Sequence, residues 1–175
     1  MKALTILQPW ASLIACGAKK IETRSWKTNY RGKIAIHAGL SQKYCLFAEE
    51  ELFLNALEQF SKIRDIGGTT EAEYEDCIEL EYGKILAIAD LVGCYKIDIA
   101  DTEYQGKIVS LYNDEGLLMS QFYSSEKEIA FGNYSKGRYA WILENVEMIK
   151  EPIPAKGKQG LWDWEGERNE TRKGI

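Results

Sequence analysis

Gly83-Lys84-Ile85-Leu86-Ala87-Ile88-Ala89-Asp90-Leu91-Val92-Gly93-Cys94-Tyr95 is almost unbroken apolar sequence. A run this short, opened by glycine and rich in Ile, Leu and Val, reads as a strand buried on both faces at the centre of a sheet. Residues 139–146 (Tyr139-Ala140-Trp141-Ile142-Leu143 at their head) form a second strong strand, with 148–154 expected as strand and turn and 161–164 as a last short strand. At the other end, 3–7 alternate weakly, as a strand does. Pro9 then stands where a first helical turn tolerates proline, 10–16 are apolar at helical spacing, and Gly17 is the stop. Residues 21–26 are long enough for a strand whose period of two sets Lys20, Glu22, Arg24 and Trp26 on one face and Ile21, Thr23 and Ser25 on the other. Residues 32–38 alternate again. Five or six strands with helices between them predict an α+β chain with a mainly β core, built as a small closed or half-open β-barrel with inserted helices.

The inserted part changes period. Leu46, Phe47, Phe53, Leu54, Leu57 and Phe60 recur at three and four, which predicts an amphipathic helix over 41–63. Gly67-Gly68 ends it, and Thr70 with Glu73 offers a capping box for a shorter helix to about residue 80. Residues 98–137 carry the weakest pattern and are expected as loop with one helix around 120–131. The domain expected is therefore a single one over 1–164 with a helical insertion at about 41–80, followed by a polar tail over 165–175.

A chain of 175 residues fits one domain, since this size buries roughly two-thirds of its unfolded surface. Its longest apolar runs fall short of the ~18 residues a membrane helix needs, and its first residues are too soon interrupted by Gln8-Pro9 for a signal peptide. A cytoplasmic location and no membrane partner are the expectations. Cys16, Cys45, Cys77 and Cys94 include no C-x-x-C pair and read as reduced thiols. His37, the single histidine, cannot build a multi-histidine metal site; it reads as a strand histidine hydrogen-bonded locally, the alternative being a dyad with a cysteine. No metal and no cofactor are expected.

The net charge of −5 is unevenly spread. Residues 19–33 carry Lys19, Lys20, Arg24, Lys27, Arg31 and Lys33 against Glu22 alone, a net of +5, whereas 49–103 carry fifteen acids against four bases, a net of −11. At pI 5.1 a broad basic face for duplex DNA is not expected, and a small basic cleft for one phosphate or a short single strand is. Glu22 lies among cations that favour its ionised form, which makes it a poor general acid. It can orient Lys19 or Arg24, or accept a hydrogen bond from a base. Trp26 offers a stacking face. A surface salt-bridge cluster beside a half-buried indole is the plain alternative.

The order Leu4-Thr5-Ile6-Leu7-Gln8-Pro9-Trp10-Ala11-Ser12-Leu13-Ile14, then Gly17-x-Lys19-x-x-Glu22-x-Arg24, then Tyr30-Arg31-Gly32 and Ile36-His37-Ala38, closely resembles the ASCH domain family, related to the PUA RNA-binding fold. The likeness returns at Gly83-Lys84-Ile85-Leu86-Ala87, at Gly137-Arg138-Tyr139-Ala140-Trp141, at Pro152-Ile153-Pro154 and at Lys158-Gln159-Gly160-Leu161-Trp162. It implies a PUA-like β-barrel whose cleft is lined by the G-x-K-x-x-E-x-R motif and binds RNA or a modified nucleoside or nucleotide. Some members of the family are amidohydrolases acting on N4-acetylcytidine, and others are ribonucleases. In the amidohydrolase branch a nucleophilic threonine stands at the position of Glu22, beside the lysine matching Lys19, and a glutamate from a later helical segment completes the set. Here that position is Glu22, and Thr23 is expected on the opposite face of the strand. Two readings stay open. In the binding module, Lys19 and Arg24 hold phosphate, Glu22 reads a base edge, Trp26 or Trp10 stacks, and Gln8 binds ligand too, the three charged groups being expected to converge near it and the Pro9 helix start. In the hydrolase, Lys19 and Glu22 are the catalytic pair, Glu22 acting as base on water.

Overall fold

The computed structural model describes residues 1–57, 80–102, 106–123 and 127–166. In chain order the elements are β1 (Lys2–Ile6), α1 (Trp10–Ala15), β2 (Ile21–Arg24), β3 (Gly32–Ala38), a 3-10 turn (Cys45–Glu49), α2 (Glu51–Leu57), β4 (Lys84–Thr102), β5 (Gly106–Tyr112), β6 (Leu118–Tyr123), α3 (Lys127–Ala130), β7 (Tyr139–Pro154) and β8 (Leu161–Asp163). The chain resolves into two compact units: Met1–Cys16 with Ile34–Ile88 and Glu147–Ile175, and Gly17–Lys33 with Ala89–Val146. β3, β4 and β7 each give residues to both.

In the first unit β1 pairs parallel with β3, Lys2 opposite Ile34 through Ile6 opposite Ala38, and antiparallel with β8, Ala3 opposite Trp162. Ala3, Ala35, Ile85 and Trp162 close a core beneath this face. Gly83 opens β4 at φ 65°, a left-handed conformation that costs a side-chain-bearing residue ~1 kcal/mol or more. Its N–H donates to Ala38 O and its carbonyl accepts from Ala155 N–H, so the turn is tied to two neighbouring segments. The expected 41–63 helix is broken in its described part. Glu50 is extended (ψ 134°) between the 3-10 turn and α2, because the Phe47 ring packs on Trp10 and on Phe53 instead of continuing one helical stripe. The Thr70/Glu73 capping box lies outside the described residues, as does 167–175 of the expected tail.

In the second unit β2 pairs antiparallel with β7, Ile21 opposite Ile142 and Arg24 opposite Tyr139. The outer part of β4 continues past the expected 83–95 strand into an antiparallel meander with β5 and β6. Ile21, Ile97, Val109, Leu111, Tyr134 and Ala140 form its core. The single helix expected around 120–131 is corrected: among the described residues of that span, those to Tyr123 are strand and Lys127–Ala130 are helical. Phe122 packs on that core from a strand, with Val109 directly opposite, so cross-strand pairing overrode the local pattern. The expected turn at 148–154 is likewise a continuation of β7.

The hydrogen-bonded order is β2-β7-β4-β3-β1-β8, with β5 and β6 branching from β4. Among the described residues β2 and β8 do not pair, so the eight-stranded sheet is open. The mainly β, α+β reading stands, and the closed or half-open barrel is corrected. Closure needs the two end strands to meet at matched tilt and stagger, a long-range condition that strand periodicity does not contain.

Candidate functional site

Gly17, at φ 75°, turns the chain after α1, and Lys19 follows as the last residue but one before β2. The backbone there is fastened by a distant side chain. Glu128, on α3, accepts the Lys20 N–H on Oε2 at 2.8 Å and the Ile21 N–H on Oε1 at 3.1 Å, and Tyr134 O–H donates to Oε1 at 3.2 Å. Lys19 thereby turns inward: it is 1% exposed, its Nζ donates to the Ile21 carbonyl and lies 3.8 Å from Glu22 Oε2 and 3.9 Å from Glu128 Oε1. Glu22 in turn holds Arg24, with Nε 2.9 Å from Oε1.

The cluster is two cations and two carboxylates whose formal charges cancel. Burial pushes the Lys19 ammonium below the usual lysine range, opposed by Glu22 and Glu128. Burial pushes the Glu128 carboxyl up, opposed by Lys19 and by the two backbone N–H groups. Tyr134 is raised strongly, by burial first and then by Glu128. Two neighbours displaced toward each other in this way form an acid–base pair in which a proton moves at less cost than between free side chains. Side-chain exposure rises from Lys19 at 1% through Glu22 at 10% and Glu128 at 15% to Arg24 at 24%, so solvent meets Arg24 first.

Gly132 covers the inner end. A β-carbon there would lie 3.2 Å from Lys19 Nζ, 3.3 Å from Thr23 Cγ2 and 2.7 Å from Tyr134 Cε2. Thr23 thus stands against the same glycine as the ammonium, and its Oγ1 accepts the Asn133 N–H at 3.0 Å. Trp26 is half-buried, edge-on to the buried Trp141 at 4.6 Å, and its carbonyl accepts from Trp141 Nε1 at 3.3 Å.

Gln8 and Trp10 belong to the first unit. Gln8 is fully buried; its Nε2 donates to Ser12 Oγ at 2.8 Å and Glu81 O at 2.6 Å, and its Oε1 accepts the Ser12 N–H at 3.1 Å. Trp10 packs on Tyr44 and Phe47. His37 is buried beside Trp162, and its Nε2 meets Ala155 O at 3.0 Å, a partner 118 residues away in place of a local one. The structure therefore brings Lys19, Glu22 and Arg24 together and adds Glu128, Tyr134 and Gly132, which the sequence reading did not contain. The only hint of Glu128 was an acid in a weakly patterned segment. Among the described residues, no group of three His, Cys, Asp or Glu side chains is placed to hold a metal ion, and no helix is long and apolar enough to cross a membrane.

The human and mouse proteins named activating signal cointegrator 1 are each 24% identical to this chain over 173 residues. That alignment takes in 98% of this chain and 24% of theirs, so the chain spans about a quarter of the length of the curated relatives it matches. The ASCH domain model matches residues 4–153, a span holding both the Gly17-to-Arg24 motif and Glu128, and on that match the chain belongs to the ASCH domain family, a PUA-like, RNA-binding family.

Proposed function

We propose that residues 1–164 act as one ASCH domain of the cytoplasm that binds RNA or a modified nucleoside, with the base held at the Lys19, Glu22, Arg24 and Glu128 cluster. The observation that carries this reading is the burial of Lys19 between two carboxylates at the family motif. A buried ionic cluster costs desolvation that an apolar core would not, so its presence at this position points to use. Because the cluster's formal charges cancel, it suits an uncharged base offering donors and acceptors better than a bare phosphate. Glu22 accepts from an exocyclic amine or ring N–H. Arg24, the outermost cation, reaches a phosphate or a carbonyl, and Trp26 supplies an apolar face. Lys19 sets the two carboxylates; Gln8 positions α1; Trp10, among its ring neighbours, is a second stacking surface.

A hydrolase reading has one observation in its favour: the lowered Lys19 and the raised Glu128 lie 3.9 Å apart, neighbours that a small side-chain shift on ligand binding brings within hydrogen-bond reach. In that reading Lys19 and Glu22, or Lys19 and Glu128, activate water against a nucleobase amide such as that of N4-acetylcytidine, or against an RNA phosphodiester. Glu22→Gln separates the two. A binding module loses discrimination between cytidine-type and uridine-type ligands in titrations, with no turnover before or after. A hydrolase retains ligand binding and loses acetate or fragment release by roughly 10²-fold or more. Unchanged affinity, base preference and turnover would return the cluster to a structural salt bridge.

A further inference from the structure

The neutral cluster offers a strand's phosphates Arg24 alone, and a second feature of the same unit offers further cations. β4, β5 and β6 have two unlike faces. Ile97, Ile99, Val109, Leu111 and Phe122 face the core. On the other face Lys96 lies directly opposite Tyr112 and Asp98 opposite Ser110, which pairs with Gln121 and accepts from its Nε2 at 3.0 Å. At the Lys96–Tyr112 end this face deepens into a cavity of about 470 Å³, lined by Lys96, Asp98, Tyr112, Asn113, Asp114 and Lys136. One wall is the Asn113–Leu117 turn, held by Asn113 Oδ1 accepting from the Glu115 and Leu117 N–H groups. The other is the 136–138 segment, docked where Ile97 N–H donates to Arg138 O and Gly137 N–H to Ile97 O.

Two lysines and two aspartates line it, and both aspartates are engaged in exposed pairs that leave Lys96 over. Lys136 lies 3.0 Å from Asp98 and Lys27 2.6 Å from Asp114, both exposed pairs, while Lys96 forms no salt bridge among the described residues. Exposed pairs of this kind hold by ~1 kcal/mol or less, so an incoming phosphate can take Lys136 from Asp98 at small cost. A volume of several hundred Å³ is the size of one nucleotide, and an aromatic wall beside lysines is the composition of a single-strand subsite. We infer that this cavity is a second subsite, in which Tyr112 stacks a base and Lys96 and Lys136 hold the backbone phosphate of a single-stranded RNA whose target base sits at the Lys19 cluster. The inference rests on the RNA reading above.

The test is fluorescence anisotropy with a labelled twelve-nucleotide single-stranded RNA of mixed sequence, from 50 to 300 mM salt, beside titration with N4-acetylcytidine as free nucleoside. Lys96→Ala with Lys136→Ala lowers RNA affinity about tenfold and flattens the salt dependence by about 1.4, two contacts at ~0.7 each. Tyr112→Leu lowers it about fivefold or more. Asp98→Asn, which removes the competing carboxylate, raises it about twofold, and the exposed Lys150→Ala changes nothing. Nucleoside binding is the same in all five proteins. RNA binding by the wild type that the Lys96/Lys136 and Tyr112 variants leave intact, in affinity and salt slope, overturns this subsite alone. Failure of the wild type to bind the RNA at all overturns the RNA reading and the subsite with it.

Discussion

Among the described residues each unit buries one basic side chain to 1% exposure, Lys19 in the second and His37 in the first, and the two are housed in opposite ways. His37 has one backbone partner and an indole at its edge. Its Nε2 donates to Ala155 O, its Nδ1 has no hydrogen-bond partner, and Gly157 approaches so closely that a β-carbon there would lie 2.8 Å from Nδ1. That is a pocket for a neutral ring, and burial lowers the His37 pKa accordingly. Lys19 has two carboxylates within 4 Å and a third charge, Arg24, held by one of them. Burial of a titratable group alone does not mark a site; buried opposing charges that shift one another do. The units differ in the same sense overall. The second carries eleven Lys and Arg against ten Asp and Glu, a net of +1, which leaves −6 for the first.

The sharpest way to break this contrast is Lys19→Met. It strands Glu128 without its cation, leaves Glu22 with Arg24 alone, and lowers stability by about 3–5 kcal/mol at pH 7.5. The deficit has a pH signature. Losing the cation raises the Glu128 carboxyl's folded pKa further, so the folded form takes up a proton more readily and the deficit shrinks as pH falls toward 5. Urea titrations at both pH values measure it. A loss below 1 kcal/mol, or a deficit that grows on acidification, contradicts the pairing.

Gly132→Ala comes next. Its β-carbon would meet Tyr134 at 2.7 Å and Lys19 Nζ at 3.2 Å, so the ring or the ammonium must shift, at about 1–3 kcal/mol, read as a lower Tm. His37 gives a smaller effect of the same pH sense as Lys19→Met, the variant's deficit relative to the wild type shrinking as pH falls. Its folded pKa is depressed, so its contribution is complete above the unfolded value near 6.5 and is lost as pH falls through the folded one. Wild-type stability therefore declines below pH 6.5 by a component that His37→Phe lacks. Equal declines in the two proteins would remove the neutral-ring assignment. Smallest of all is Lys27→Ala, which breaks the exposed Lys27–Asp114 pair and costs under about 0.5 kcal/mol by denaturant titration. A larger cost there would erase the distinction between buried and surface charge on which the contrast depends.

Much was legible along the chain because it is local. β1, α1, β2, β3 and the inner part of β4 follow from periodicity, from Pro9 and Gly17 and from apolar runs, and each acts within a few residues of itself. The motif Gly17-x-Lys19-x-x-Glu22-x-Arg24 likewise put three charged groups within reach by spacing alone. Tertiary structure decided the rest. Glu128 reaches the amides of Lys20 and Ile21 across 108 and 107 residues of chain, and no pattern in 98–137 distinguishes it from its neighbour Glu126. The β5–β6 meander hid in that same stretch because Ile108 and Tyr112 share its outer face with Ser110 and its register shifts between Leu111 and Tyr112, both of which blur the alternation a strand normally shows. Whether the sheet closes was equally beyond local reading. Strand propensity is a property of a few adjacent side chains, whereas the meeting or parting of β2 and β8 depends on the twist and stagger summed over every strand between them.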